Sequence, residues 1–230
     1  MTERVFRYGL DAPGALIGIA SVGIVLLVVG VVTLPAVAIV GIVLLAYAVL
    51  HVWGSAVAKV RRARRMLDRI PWRGDEEVLD VGCGHGLLLV ESARHLTTGR
   101  AVGIDVWRQK DQWHNSREAT IETARRAGVA DRVDVRDGDA TALVFEDASF
   151  DVVVSSLVLH NIRDRDERTR AIREIARVLK PGGHVAILDL AHTSDYAKTL
   201  LSEGLVAVQR SRTGVLFVPS ARVLTARRPG

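Results

Sequence analysis

Between Asp11 and Lys59 the chain carries no Asp, Glu, Lys or Arg, and from Ala15 to Leu50 it is almost wholly aliphatic. A helix that spans a membrane needs about 20 apolar residues, so this run is too long for one span and suits two short ones. Pro35, after Thr33 and Leu34, supplies the break, because a proline inside a helix removes a hydrogen bond and clashes with the preceding turn. The expectation is a transmembrane hairpin, Ala15 to Val32 and Ala36 to Trp53, occupying residues 1–56. A buried helical pair or an apolar dimer interface is the alternative. A cleaved signal peptide is not expected, since its apolar region is far shorter and ends in a small-residue cleavage site.

Charge agrees with this division. The 230-residue chain has a formal net charge of +5, yet Lys59 to Arg73 alone holds seven basic residues and one acid, so everything else sums to −1. The surplus is a patch beside the hairpin, facing lipid headgroups in this reading, and nucleic acid is not an expected partner. Arg4 and Arg7 before the hairpin and the cluster after it place both ends on the cytoplasmic side of the cytoplasmic membrane. Tyr47, His51 and Trp53 stand where an interfacial aromatic belt belongs. Within residues 57–73, Val60, Ala63, Met66, Leu67 and Ile70 recur at helical spacing among arginines. Such a helix either lies on an anionic leaflet, with about 1 kcal/mol of attraction per basic residue, or is a solvated linker. Pro71 and Trp72 mark a boundary, and residues 74–230 suffice for one α/β domain.

That domain opens on Val78 to Gly86, VLDVGCGHG: strand-like residues, three alternate glycines, and a new apolar pattern from Leu87. This is a strand, a tight turn and a helix start, the kind of crevice where nucleotide-like ligands settle at the carboxyl ends of parallel strands. A dinucleotide fingerprint, G-x-G-x-x-G, would put its third glycine at position 87, which is Leu87, so NAD binding is disfavoured. Cys83 is the sole cysteine; no disulfide is possible within the chain, and a small residue in a close-packed turn is a better account of it than a nucleophile or metal ligand. Strands then alternate with helices: AVGIDV at 101–106, Arg132 to Val135, FDVVVSS at 150–156, and His184 to Leu190 after LKPGG at 179–183. This alternation is the pattern of a parallel sheet covered on both faces.

With Asp80 before the glycines, the run resembles motif I of class I S-adenosylmethionine-dependent methyltransferases. Asp105, 19 positions beyond Gly86, the exit Asp137-Gly138-Asp139-Ala140, and LKPGG follow in that family's order. The resemblance implies a Rossmann-like, doubly wound sheet of seven strands, the last inserted antiparallel between the fifth and sixth. It implies S-adenosyl-L-methionine as methyl donor, leaving as S-adenosyl-L-homocysteine. Gly82, Cys83, Gly84 and Gly86 would pack against its methionine part with Asp80 directed towards it, Asp105 would hold the ribose, and Asp139 and Ala140 would meet the adenine, with Val106 or Trp107 on its face. Ser155, at the end of the fourth strand, is included in that set. His160, at the edge where acceptors enter, is a candidate general base. The other histidines show no metal-ligand spacing, and no metal is expected. Trp107 to His114 suggests an acceptor-recognition surface or a membrane contact. The functional expectation is a membrane-anchored methyltransferase for a small or lipophilic acceptor. A non-catalytic, cofactor-binding membrane module is the alternative, and oligomeric state is undetermined.

Overall fold

A computed structural model describes residues 8, 13–53, 57–108, 115–211 and 221–230. Two long apolar helices come first, α1 (Pro13–Val32) and α2 (Pro35–Trp53). At 1.5 Å per residue each is about 30 Å long, the thickness of a bilayer's hydrocarbon core. They pack along a seven-residue repeat of small side chains: Gly23 and Gly30 on α1, Gly41 and Ala48 on α2 are buried. A Cβ on Gly41 would lie 2.5 Å from the backbone nitrogen of Leu27, and one on Gly30 would overlap the backbone of Ala38. Only glycine permits this approach. The remaining perimeter, including Val25, Val28, Val32, Ile39, Ile42 and Val49, is exposed and apolar. Only 11% of each helix's most apolar stretch is buried, which is not how the core helix of a soluble protein looks.

The rest of the chain is built on a seven-stranded sheet. Its strands are β1 (Glu77–Val81), β2 (Arg100–Asp105), β3 (Val133–Asp137), β4 (Phe150–Ser156), β5 (Leu179–Asp189), β6 (Val206–Arg210) and β7 (Arg222–Arg227). The spatial order is β3-β2-β1-β4-β5-β7-β6. The first five are parallel, while β7 lies antiparallel to both β5 and β6. Alternate residues feed opposite faces, as the strand period requires. Val78, Val152, Val154 and Ala186 enter one core layer; Leu79, Val81, Val153 and Val185 enter the other.

Helices α3 (Lys59–Leu67), α4 (Leu87–Ala93) and α5 (Arg117–Ala127) contribute to the first layer; α6 (Arg165–Val178) and α7 (Thr193–Ser202) cover the second. The basic helix α3 is therefore part of the packed fold: Ala63, Met66 and Leu67 are at most 1% exposed, against α4 and the sheet. Of its arginines, Arg62 donates to the Ala221 carbonyl at 2.6 Å and Arg64 to Glu91, while Arg61 and Arg65 are exposed. LKPGG, which precedes the expected strand His184 to Leu190, is itself part of β5. Helix α6 ends at Val178 because Leu179 is already extended, and a bulge between Phe150 and Val152 absorbs the kink. Strand β6 is short and mostly exposed, as befits a strand at the edge of the sheet.

Candidate active site

The carboxyl ends of β1, β2 and β4 converge on one cleft of about 1010 Å³, part of it open to solvent. The turn leaving β1 builds its floor. Gly82, Gly84 and Gly86 all have positive φ, and the N–H groups of Gly82 and Cys83 donate to the Ile104 carbonyl at 2.8 and 2.9 Å, tying the turn to β2. Gly82 is obligatory on two counts, its φ of 73° and the Val158 side chain, which occupies the space a Cβ would need. Thr120 of α5 holds the turn from the other side by donating to the Gly84 carbonyl.

Asp105 closes β2 and accepts from three donors. Gly84 N–H reaches Oδ2 at 2.9 Å; Trp107 N–H and the Asn115 amide reach Oδ1 at 2.7 and 3.3 Å. One carboxylate thus links the glycine turn to the loop after β2. Asp80 is in the opposite condition. It is 1% exposed, and its Oδ2 has no partner among the described residues. Burial pushes its pKa up to about 8; the neighbouring Asp105 charge adds to this, and a backbone hydrogen bond at Leu89 opposes it. Asn115 Oδ1 and Ser156 Oγ are likewise buried without a partner, and all three residues line the same cleft. Such atoms cost free energy unless a ligand completes them.

Of the residues expected at the site, Asp80, Gly82, Cys83, Gly84, Asp105, Val106, Asp139 and Ala140 line the cleft. Gly86 is the N-cap of α4 and holds the turn, its N–H donating to the Cys83 carbonyl at 2.7 Å. Cys83 is buried, and burial first, then the Asp80 and Asp105 charges, raise its thiol well above the ordinary value, which keeps it protonated and unreactive. Val106 reaches the cleft and Trp107 does not; the indole N–H of Trp107 donates to Asp137 at 2.7 Å instead. Arg108, of the same run, lines the cleft, and Gln109 to His114 lie outside the described residues.

Two expectations are corrected. Ser155 does not face the cleft: its hydroxyl donates to the Val81 carbonyl at 2.8 Å, and the next residue, Ser156, lines the site. The strand period explains the swap, since Asp80 pairs in register with Val154, whose parity Ser156 shares. His160 is not in the wall either, although its neighbours Leu157, Val158, Asn161 and Ile162 are. Its ring Nδ1 pairs with Asp189, a carboxylate fully buried at the end of β5, and its backbone N–H reaches the same group at 3.0 Å. Tyr196 donates to Asp189 at 3.3 Å; burial and that carboxylate raise its pKa, so its hydroxyl keeps the proton. A carboxylate on Nδ1 fixes the tautomer with the proton there and makes Nε2 the basic nitrogen. The residues not foreseen are Asn115, Ser156, Asn161, Tyr8 and Lys59 in the lining, and Gly103 beneath it, where a Cβ would meet Leu89 at 2.8 Å and Cys83 at 3.0 Å. A glycine inside a strand is the one such signal readable in advance.

A parallel sheet with a reversed last strand, a glycine turn after β1 and an acidic residue closing β2 define a class I methyltransferase fold. Residues 79–187 match the methyltransferase domain family, and the chain therefore carries a class I S-adenosylmethionine-dependent methyltransferase domain. It is 37% identical over 135 residues to the 27-O-demethylrifamycin SV methyltransferase of Amycolatopsis mediterranei (strain S699), covering 57% of this chain and 45% of that protein. It is 30% identical over 141 residues to the chloroplastic 2-phytyl-1,4-beta-naphthoquinone methyltransferase of Arabidopsis thaliana, 60% of this chain and 51% of that one. The chain spans about half the length of these curated relatives. Among solved structures, the cyclase SpnF superposes with a TM-score of 0.62 at 22% identity, over 76% of this chain and 83% of that one. A cyclase on the same fold shows that the fold alone does not name the reaction.

Proposed function

We propose that the protein is a membrane-anchored methyltransferase that moves a methyl group from S-adenosylmethionine to a small, lipophilic acceptor. One observation carries the donor site: three buried, unpartnered polar atoms, on Asp80, Asn115 and Ser156, face one cleft floored by the glycine turn. Among the described residues no cation is paired with the buried Asp80, and the positively charged donor fits that lack. When bound, the donor supplies a methyl group already activated by its sulfonium. The chain's part is alignment and exclusion of water, and proximity of this kind is worth up to roughly 7–11 kcal/mol. Gly82 and Gly84 let the main chain approach the donor closely. Asp105 holds the turn and accepts from the ribose.

The anchoring reading rests on α1 and α2, two bilayer-length helices with apolar perimeters, and on the arginines that follow them. It places the catalytic domain on the cytoplasmic face. The relatives' names, a rifamycin and a phytyl naphthoquinone methyltransferase, favour a lipophilic acceptor. The test is the full chain in vesicles with methyl-labelled S-adenosylmethionine and a membrane lipid extract. Label in the organic phase supports the reading; donor binding without label in any extract would favour a non-catalytic, cofactor-binding module.

A further inference from the structure

Glu91 lies on α4, behind the glycine turn, and is 4% exposed. Three side chains from outside its own position converge on it. Tyr8 Oη donates at 2.9 Å, Arg64 donates through Nε and Nη2 at 2.8 and 3.0 Å, and Arg94 Nη1 donates at 3.1 Å. Burial would raise the pKa of Glu91, but the Arg64 and Tyr8 hydrogen bonds and the Arg94 charge outweigh it and hold the group ionised, below the usual range. Tyr8 precedes α1 and Arg64 follows α2. The two segments flanking the apolar hairpin are thus fastened to a single carboxylate on the helix that begins at the glycine turn.

The same segments reach the cleft, where Tyr8 and Lys59 line it together with Leu87, Leu88 and Ile162. Lys59 is the first charged residue after the apolar run, so in a membrane it stands at headgroup depth. The cleft is lined by three carboxylates, Asp80, Asp105 and Asp139, and by two cations, Lys59 and Arg108, with apolar side chains among them.

We propose that Tyr8 and Lys59 form an acceptor-binding wall, that the acceptor is an amphipathic molecule with an oxygen-bearing head and an apolar tail arriving from the membrane interface, and that Glu91 is the positioning residue that holds this wall. The proposal rests on the membrane-anchored reading above. It explains why residues on both sides of the hairpin, Tyr8 and Lys59, reach the cleft.

The test uses the full chain in vesicles of phosphatidylcholine and phosphatidylglycerol. The probe is a long-chain 4-alkylphenol with a diazirine beside the ring, and adducts are mapped by mass spectrometry. Adducts are expected at Tyr8, Lys59 or Leu87 as well as along residues 13–53. Glu91→Gln and the milder Tyr8→Phe are expected to lower adducts at the wall by about tenfold, the loss of a hydrogen bond to a charged group, with S-adenosylhomocysteine affinity by calorimetry unchanged. Adducts confined to residues 13–53, a wall equally labelled in both variants, or a parallel loss of cofactor affinity would each overturn it; the last would make Glu91 a folding residue. Flotation on the same vesicles is scored separately. A chain that stays unbound removes the anchoring reading and this proposal with it, whereas a chain that floats but is labelled only on the hairpin removes this proposal alone.

Discussion

Asp80 should release its proton when the donor binds. Its carboxyl is buried and has a pKa near 8 against an ordinary 3.8. Between those values the empty folded chain retains a proton that the unfolded chain has given up. Stability therefore falls as pH rises across that window and is flat above it. From pH 3.8 to pH 7 the loss approaches about 4 kcal/mol, at about 1.4 kcal/mol per pH unit. At pH 7 a carboxyl of this pKa is about nine-tenths protonated, and a cationic ligand beside it favours the ionised form. Calorimetric titration of S-adenosylmethionine at pH 7 in phosphate and in Tris should then show about 0.9 proton released per site, and close to none at pH 9. Asp80→Asn should abolish the buffer dependence and weaken binding. Without ligand, the same variant should melt no lower than the parent at pH 7 and lose the fall in stability between pH 4 and pH 8. A binding heat that does not depend on buffer in the parent would refute the reasoning, because the carboxylate would then be charged, and compensated, before any ligand arrives.

Three further outcomes follow from the site. Gly82→Ala adds a Cβ at a φ of 73° and into Val158; strain and overpacking of about 1–3 kcal/mol each should sharply weaken donor binding. Val158→Ala should restore part of that loss and leave the φ strain, which a double-mutant cycle on calorimetric affinities would read. Asp105→Asn turns an amide N–H group towards the N–H donors of Gly84 or Trp107; an unsatisfied pair of this kind costs about 1–3 kcal/mol, or roughly ten- to a hundredfold in donor affinity. His160→Ala removes the ring partner of the buried Asp189 carboxylate, which should lower the melting temperature by a cost of about 1–3 kcal/mol with donor affinity little changed. An unchanged melting temperature would show that Asp189 does not need the imidazole.

What could be read in the chain beforehand was whatever depends on near neighbours. The glycine turn, the carboxylate ending β2 and the alternation of strands with helices are short-range patterns, and the charge-free run marks α1 and α2 by composition alone. What escaped depends on register and on distance along the chain. Ser155 and Ser156 are equivalent as letters; only the pairing of Asp80 with Val154 decides which of them shares the donor's face. The apolar stripe of α3 was visible, but its arginines favoured lipid or water as its surroundings, and nothing local said that Met66 and Leu67 would be buried against α4 and the sheet. Tyr8 and Glu91 meet across 83 positions, a contact no periodicity can announce. These long-range contacts join the apolar hairpin to the cleft. The glycine turn carries the proposed donor site, and the segments flanking α1 and α2, which reach the same cleft through Tyr8 and Lys59, carry the proposed acceptor wall.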